Sequence, residues 1–326
     1  MGHPIRDHIM CMGWYLRRTA KADDLIGFYR DVVGLPVMRG YEPTYFISVG
    51  ETFCMELIAE RPPRPERDET PEIASVLPIL RTPDLQALVE RLRAANVEVR
   101  DIRETATGAE AFARDWDGQW LGLRERKASS PHFSDKEAMR RRARGDTFSY
   151  GWPAMPADIQ EMGWIRRHAQ DPLRIASFYS ETLGLKIVGE EDGAVMLDAG
   201  DNFILEIAGG GAPQKPPVHD RTEIPNCFVF RIDNFDETEH LLRAAGVPVA
   251  QRIEFNSAHL LYCLDPEGQL IGFEERFEPH AYKKWRDPFA EDIEANRRWR
   301  AYRMNADEGA RMDYGATPRT EQLKPL

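Results

Sequence analysis

Met162-Gly163-Trp164-Ile165-Arg166-Arg167-His168-Ala169-Gln170-Asp171-Pro172 runs on into Ser177-Phe178-Tyr179 and Leu183-Gly184-Leu185. The first part reads as a buried strand, the middle as a short turn, and the last as an amphipathic helix closed by a glycine. The same text stands earlier in the chain, where Met12-Gly13-Trp14-Tyr15-Leu16-Arg17-Arg18 leads into Phe28-Tyr29 and Val33-Gly34-Leu35. The offset of 150 residues between Trp14 and Trp164 also separates Phe28 from Phe178, Gly34 from Gly184 and Glu56 from Glu206. A repeat held in register over that distance marks a chain built from duplicated structural units.

Working outward, residues 12–19 predict a strand and residues 22–33 a helix. Leu25, Ile26, Phe28, Tyr29, Val32 and Val33 give that helix an apolar face, and Gly34 suits the left-handed position that ends it. Short strands follow at 36–39, 44–49 and 52–58, the last two joined by Gly50-Glu51, so the order is βαβββ. Residues 61–71, with four prolines among charges, read as a connector. A second unit then has a strand at 75–82, a helix at 83–95 and strands at 97–102, 110–114 and 119–125. Its last hairpin is Asp115-Trp116-Asp117-Gly118. Residues 163–207 and 226–276 repeat the two units, with Asp265-Pro266-Glu267-Gly268 as the matching hairpin and Gly209-Gly210-Gly211 as a flexible connector.

Residues 128–160 fit neither unit. Their run Arg140-Arg141-Arg142-Ala143-Arg144 reads as a solvated face within a linker. Residues 277–326 are an added, partly helical tail that starts near Asp287-Pro288 and aligns Phe289, Ile293, Trp299 and Tyr302. It is expected to pack on the protein's own body or on a second copy, giving a homodimer.

The 326 residues, 42% of them hydrophobic, suffice for two ordinary domains. A formal charge of −11 argues against bulk attraction to nucleic acid or to an anionic membrane. Cys11, Cys54, Cys227 and Cys263 are far apart and form no CxxC pair, which reads as reduced thiols in a cytoplasmic protein. No apolar run reaches the length of a signal peptide or of a membrane span.

Four βαβββ units, with Phe-Tyr and Leu-Gly-Leu in the helix and Asp-Pro-Glu-Gly in the last hairpin, resemble the vicinal oxygen chelate superfamily of glyoxalases, bleomycin-resistance proteins and extradiol dioxygenases. The resemblance covers residues 12–126 and 162–276. It implies an α+β fold in which paired units curl their mixed sheets into cups. The domains it suggests are 12–127 and 161–276, two tandem glyoxalase-like domains, with the linker and tail outside them. The family takes metal ligands from the first strand of each unit, at positions that here carry Trp14, Leu77, Trp164 and Cys227. It takes others from the final strands, where Gly122 and Gly272 stand in the second and fourth units and only Glu56 and Glu206 keep an acid. One carboxylate per half makes a poor site for a divalent ion, so no cofactor is expected.

Side chains two apart on a strand share a face. Four residues beyond each first-strand ligand position lie Arg18, Arg81, His168 and Arg231, which predicts cationic groups in the cups. The doubled Arg17-Arg18 and Arg166-Arg167 leave this register open by one residue. Two readings of the arginines stand together. They neutralise Glu56 and Glu206 inside the protein, or they grip a ligand carboxylate or phosphate. Trp14 and Trp164 either fill volume or offer a face to an aromatic ligand.

The expectation is a cup that binds a small anionic or aromatic molecule without a metal. Trp164, Arg166, Arg231, Cys227, Trp14, Arg18, Arg81 and Glu56 are its binding candidates. His259, His168 and Glu206 are its candidates for acid–base catalysis. The alternative is a metal-dependent lyase, isomerase or ring-cleaving dioxygenase holding Fe, Mn, Zn or Ni on Glu206 with His168 or His259. A third reading is a sequestering or scaffold protein without chemistry.

Overall fold

The computed structural model describes residues 4–39, 44–49, 53–60, 70–126, 159, 161–200, 203–213, 221–254, 258–276 and 319–322. Unit 1 holds β1 (Ile9–Arg18), β2 (Val37–Arg39), β3 (Thr44–Ser48) and β4 (Cys54–Ile58), with α1 (Ala22–Gly27) after the first strand. Unit 2 holds β5 (Val76–Arg81), α2 (Leu85–Ala94), β6 (Arg103–Thr105), β7 (Gly108–Arg114) and β8 (Trp120–Arg126). Unit 3 holds β9 (Glu161–Ala169), α3 (Pro172–Ser177), β10 (Lys186–Glu191), β11 (Ala194–Asp198) and β12 (Ile204–Gly209). Unit 4 holds β13 (Asn226–Ile232), α4 (Phe235–Ala244), β14 (Val249–Glu254), β15 (Ala258–Leu264) and β16 (Leu270–Arg276). The four βαβββ units expected from the repeat are therefore present.

Local chemistry sets the helix ends. Asp84, Asp171 and Asn234 accept hydrogen bonds from the backbone N–H three residues on, satisfying donors that the first turn leaves open. The helices of units 1 and 3 continue as π-helical turns, Phe28–Val33 and Phe178–Thr182. They stop at Gly34 and Gly184, whose φ of 85° and 77° only glycine takes without strain. The strand expected at 97–102 is broken. Val99 makes an isolated bridge to Ala113, and the ladder becomes regular only at Arg103.

The pairing of units, which the repeat alone leaves open, crosses the two halves of the chain. One nine-stranded mixed sheet joins units 1 and 4, with β1 antiparallel to β13 at its centre. One eight-stranded sheet joins units 2 and 3, with β5 antiparallel to β9. A short strand, β17 (Arg319–Gln322), lies antiparallel to β14 on the edge of the first sheet. The helical segment expected from Asp287 and the arginine-rich run at 140–144 lie outside the described residues. No helix among the described residues is long and apolar enough to cross a membrane.

Each sheet has two chemically different faces. Ile165, Leu205 and Leu123 point with the helices into the main core, while Trp164, Leu77, Ile79 and Ile204 form a separate cluster on the opposite, cup-forming face. Trp14, Leu16, Cys54 and Cys227 do the same in the sheet of units 1 and 4.

The doubled arginines split between these faces. Arg17 turns to the helix side and grips the hairpin of unit 2. Its Nη1 donates to Asp115 Oδ2, and its Nη2 lies 3.3 Å from both Asp115 Oδ1 and Asp117 Oδ2. Arg167 repeats this on the hairpin of unit 4, 3.1 Å from Asp265 and 3.3 Å from Glu267. Asp115 and Asp265 each also accept two backbone N–H bonds that shape their own hairpins. Each sheet thus sends an arginine into a turn of the other.

Replacing Arg17 by Met leaves Asp115 buried without its counter-charge. Urea unfolding should show a loss of about 3–5 kcal/mol. Asp31→Ala, at the exposed Arg30–Asp31 pair, should change stability by less than about 1 kcal/mol.

Candidate functional site

The cup of units 2 and 3 carries the polar cluster. Trp164, Arg166 and His168 alternate along β9 on the cup face. Parallel pairing of β12 with β9 sets Glu206 directly beside Arg166. Arg166 donates from Nε to Glu206 Oε1 at 2.8 Å and from Nη2 to Glu110 Oε2 at 2.9 Å. Arg124, on β8, donates from Nη1 to Glu206 Oε2 at 3.3 Å and from Nη2 to Glu191. Glu191 also accepts from the Thr107 N–H at 2.9 Å and hydroxyl at 2.7 Å, which ties β10 to the β6–β7 turn across the cup.

All these groups are buried, and their charges set one another. Burial alone pushes the Glu110 carboxyl up, but Arg166, Arg124 and Arg103 outweigh it and hold the group below the usual carboxylate range. Burial likewise opposes ionisation of Glu191, and Thr107 and Arg124 reverse the effect. Arg126 shows the opposite balance. Burial first, and then repulsion from Arg124, push its pKa down to about 10 despite Glu191 and Glu206. It remains a cation at neutral pH. The guanidinium carbons of Arg124 and Arg126 lie 4.3 and 4.8 Å from the centre of the Trp164 ring. The indole face expected to meet an aromatic ligand therefore carries two guanidiniums.

His168 is 3% exposed, and its Nδ1 lies 2.7 Å from the Ala74 carbonyl oxygen. A carbonyl only accepts, so Nδ1 carries the proton. Burial pushes the imidazole pKa down to about 4, with Arg166 and Arg167 contributing. The ring is therefore neutral at pH 7 and keeps a lone pair on Nε2, the electronic state of a general base. A cavity of about 490 Å³ opens over the cluster, lined by His168, Arg166, Arg124, Glu206, Glu110 and Glu191. Its wall is mixed rather than cationic, because Arg100 and Arg103 join the arginines while Glu72, Asp101 and Asp192 join the carboxylates.

Other expected residues fall elsewhere. Arg81 shares this cup's sheet and crosses Gly163, where a Cβ would stand 2.6 Å from its Nε. That close approach is a reason for the glycine between Met162 and Trp164. Arg18, Trp14, Glu56, Cys227 and Arg231 belong to the cup of units 1 and 4. There the Trp14 indole donates to Glu274 at 3.0 Å, and Arg231 Nη1 lies 3.3 Å from the same oxygen. Arg18 reaches Glu60 and the Arg221 carbonyl. Cys227 is buried, and burial pushes its thiol up to about 12, so it is protonated and a poor ligand or nucleophile.

His259 sits on the helix side of β15 with its ring 5.0 Å from Phe235, away from the cup face and in the other sheet from His168. The structure does not bring the two histidines together.

Sequence reasoning missed Arg124, Glu110, Glu191 and Glu274. Arg124 was within reach, since it stands two residues past Gly122 and shares its face.

The donor set fits a metal ion poorly. Each oxygen of Glu206 already meets a guanidinium, and no group of three His, Cys, Asp or Glu among the described residues is arranged to hold an ion.

The family model of the Glyoxalase/Bleomycin resistance protein/Dioxygenase superfamily matches residues 7–123 and 162–273, more than half of the chain. Among solved structures, a glyoxalase I variant from Zea mays matches with a TM-score of 0.60 and 14% identity, over 86% of this chain and 98% of that one. A Bacillus subtilis protein proposed to be a dioxygenase matches with a TM-score of 0.60 and 14% identity, over 90% of this chain and 95% of that one. At such identity the likeness concerns the fold alone. No curated protein matches the chain by sequence.

The depressed His168 pKa has a definite sign in stability. Above pH 6.5 the ring is neutral in both the folded and the unfolded chain. Between pH 6.5 and 4 only the unfolded chain takes up the proton, so stability falls as pH falls. Unfolding curves of wild type and His168→Gln should therefore diverge across that window, the wild type losing up to about 3 kcal/mol more.

Proposed function

The chain belongs to the Glyoxalase/Bleomycin resistance protein/Dioxygenase superfamily, and from that premise we propose that it binds a small anionic molecule in the cup of units 2 and 3 without a metal ion. The observation that carries this reading is the seating of Glu206 between two guanidiniums beside a 490 Å³ cavity. Glu206 is the acid in this cup that matches a ligand position of metal-binding relatives. An ion there would have to displace Arg166 and Arg124 and then stand beside their charges, which Coulomb repulsion in a buried site opposes.

An anion fits the same place better. The wall as a whole is mixed, and Arg124 and Arg166 present their guanidiniums to it. Arginine holds planar oxyanions through paired N–H groups. The carboxylates of Glu206, Glu110 and Glu191 fix those guanidiniums in place, which lowers the ordering cost of gripping a ligand.

If the bound molecule is turned over, His168 is the group placed to move its proton. Its Nδ1–H is held by Ala74, its Nε2 lone pair is available, and it lines the cavity. Glu206, with both oxygens engaged by arginine, serves to position Arg166 in this reading. His259 has no part in it.

Calorimetric titration with a panel of small acids, on protein stripped with a chelator and on untreated protein, tests the proposal. Both forms should bind with the same affinity, and Arg166→Met should weaken binding about tenfold or more. Affinity that disappears with chelation and returns with a divalent ion would overturn the metal-independent reading.

A further inference from the structure

The three glycines that read as a flexible connector, Gly209-Gly210-Gly211, lie packed against two other segments of the chain. A Cβ on Gly211 would stand 2.1 Å from the His168 carbonyl oxygen and 2.7 Å from the Ala169 nitrogen. A Cβ on Gly210, whose φ is 104°, would stand 2.7 Å from the Glu72 carbonyl oxygen. These are main-chain atoms, which cannot swing aside as a long side chain would, so only glycine lets the connector pass so closely. The Gly211 N–H donates to the Ala169 carbonyl at 3.2 Å and fixes the seam. Gly209 differs from its neighbours, since its Cβ would meet nothing nearer than Pro172 Cγ at 3.9 Å.

The seam joins the parts that hold His168. On one side of the connector runs the His168 main chain. On the other runs the segment from Glu72 to Ala74, whose last carbonyl accepts from His168 Nδ1 at 2.7 Å. Glu72, Ala208 and Gly209 line the same cavity as His168, so the seam also forms part of its wall.

The repeat shows what a connector can carry instead. One hundred and fifty residues earlier, Glu60 stands for Gly210 and Arg18 for His168. There the Glu60 carboxylate reaches back and pairs with Arg18 Nη1. Gly210 has no side chain with which to do the same, and His168 Nε2 makes no hydrogen bond among the described residues.

We propose that Gly210 and Gly211 are positioning residues for His168. Their bare backbones let residues 72–74 and 168–169 close on the connector, which keeps Nδ1–H on the Ala74 carbonyl and leaves Nε2 open to the cavity. This deepens the proton-transfer role given to His168 above and rests on that reading. Free imidazole side chains favour the proton on Nε2, so the site works against an intrinsic preference. The bond made by one ring nitrogen decides the state of the other. A methyl group at either glycine forces the seam apart, draws the Ala74 carbonyl away from the ring, and lets the proton return to Nε2, where it blocks the lone pair a base needs.

The test uses full-length protein with ¹⁵N-labelled histidine rings, whose nitrogen shifts at pH 7 report the tautomer of each ring. The chain has eight histidines, and His168→Gln assigns the signals that matter. Wild type should hold His168 as the Nδ1–H tautomer. Gly210→Ala and Gly211→Ala should fold, because Gly210 is exposed and Gly211 half-buried, so the connector can shift outward. Each should convert most of the His168 population to the Nε2–H tautomer, a change that a purely structural role would not produce. Gly209→Ala should leave the His168 signals in place.

Wild type with Nδ1–H and both variants unchanged overturns this inference and leaves His168 as the proposed base. Conversion by Gly209→Ala to the same extent overturns the assignment to the two closely packed glycines. Failure of Gly210→Ala to fold makes the seam a matter of stability and overturns the inference too. Wild type with the proton on Nε2 overturns both this inference and the role of His168. None of these results touches the anion site at Arg166, which the titration with small acids tests separately.

Discussion

Two buried ion pairs hold the architecture together. Arg17 extends from the central strand of one sheet into a hairpin of the other, and Arg167 returns the contact from the second sheet to the first. Each arginine is almost wholly buried, so each depends on its aspartate as much as the hairpin depends on the arginine. Burial opposes the charge on Arg17, and the nearby Asp115 more than restores it. The faces of the sheets follow from this. Once Arg17 and Arg167 turn toward the helices, their neighbours Arg18, Arg166 and His168 turn the other way, and the strand period carries Trp14 and Trp164 to the cup side with them.

With that frame duplicated, the two cups differ through a few substitutions at equivalent places. Leu16 in one corresponds to Arg166 in the other, and Glu274 to Arg124. The first cup holds an apolar cluster that includes Trp14, Leu16, Phe46, Tyr262 and Leu270, beside the buried Arg18, Glu56, Arg231 and Glu274. The second spreads arginines and carboxylates through its interior and leaves space above them. Ion pairs are an expensive way to fill a protein, since apolar side chains of similar volume stabilise as well or better.

The fold was legible because it is written twice. The offset of 150 residues fixed the units, and period-two alternation placed Trp164, Arg166 and His168 on one face. The pairing of units was not legible, because nothing in a strand's own sequence says which first strand will lie beside it. The partners of the arginines were harder still. Glu110 and Glu191 meet Arg166 and Arg124 across units from strands that read as ordinary half-buried segments. His259 illustrates the limit of counting. It stands on a strand of the right sheet type, but one residue out of phase with Leu260 and Tyr262, and a shift of one residue exchanges cup for core.

The crossed pairing of units also bears on how the chain is made. The central strand β1 finds its neighbour in β13, more than two hundred residues later, whereas β5 and β9 are separated only by the middle of the chain. During synthesis the inner pair of units can close while the outer strand still has an unpaired edge. Loop closure over so long a span is slow, and an open edge is a template for association with other chains. The inner sheet, with its charged cup, is thus the piece able to assemble first, and the outer sheet forms around it when the last unit emerges.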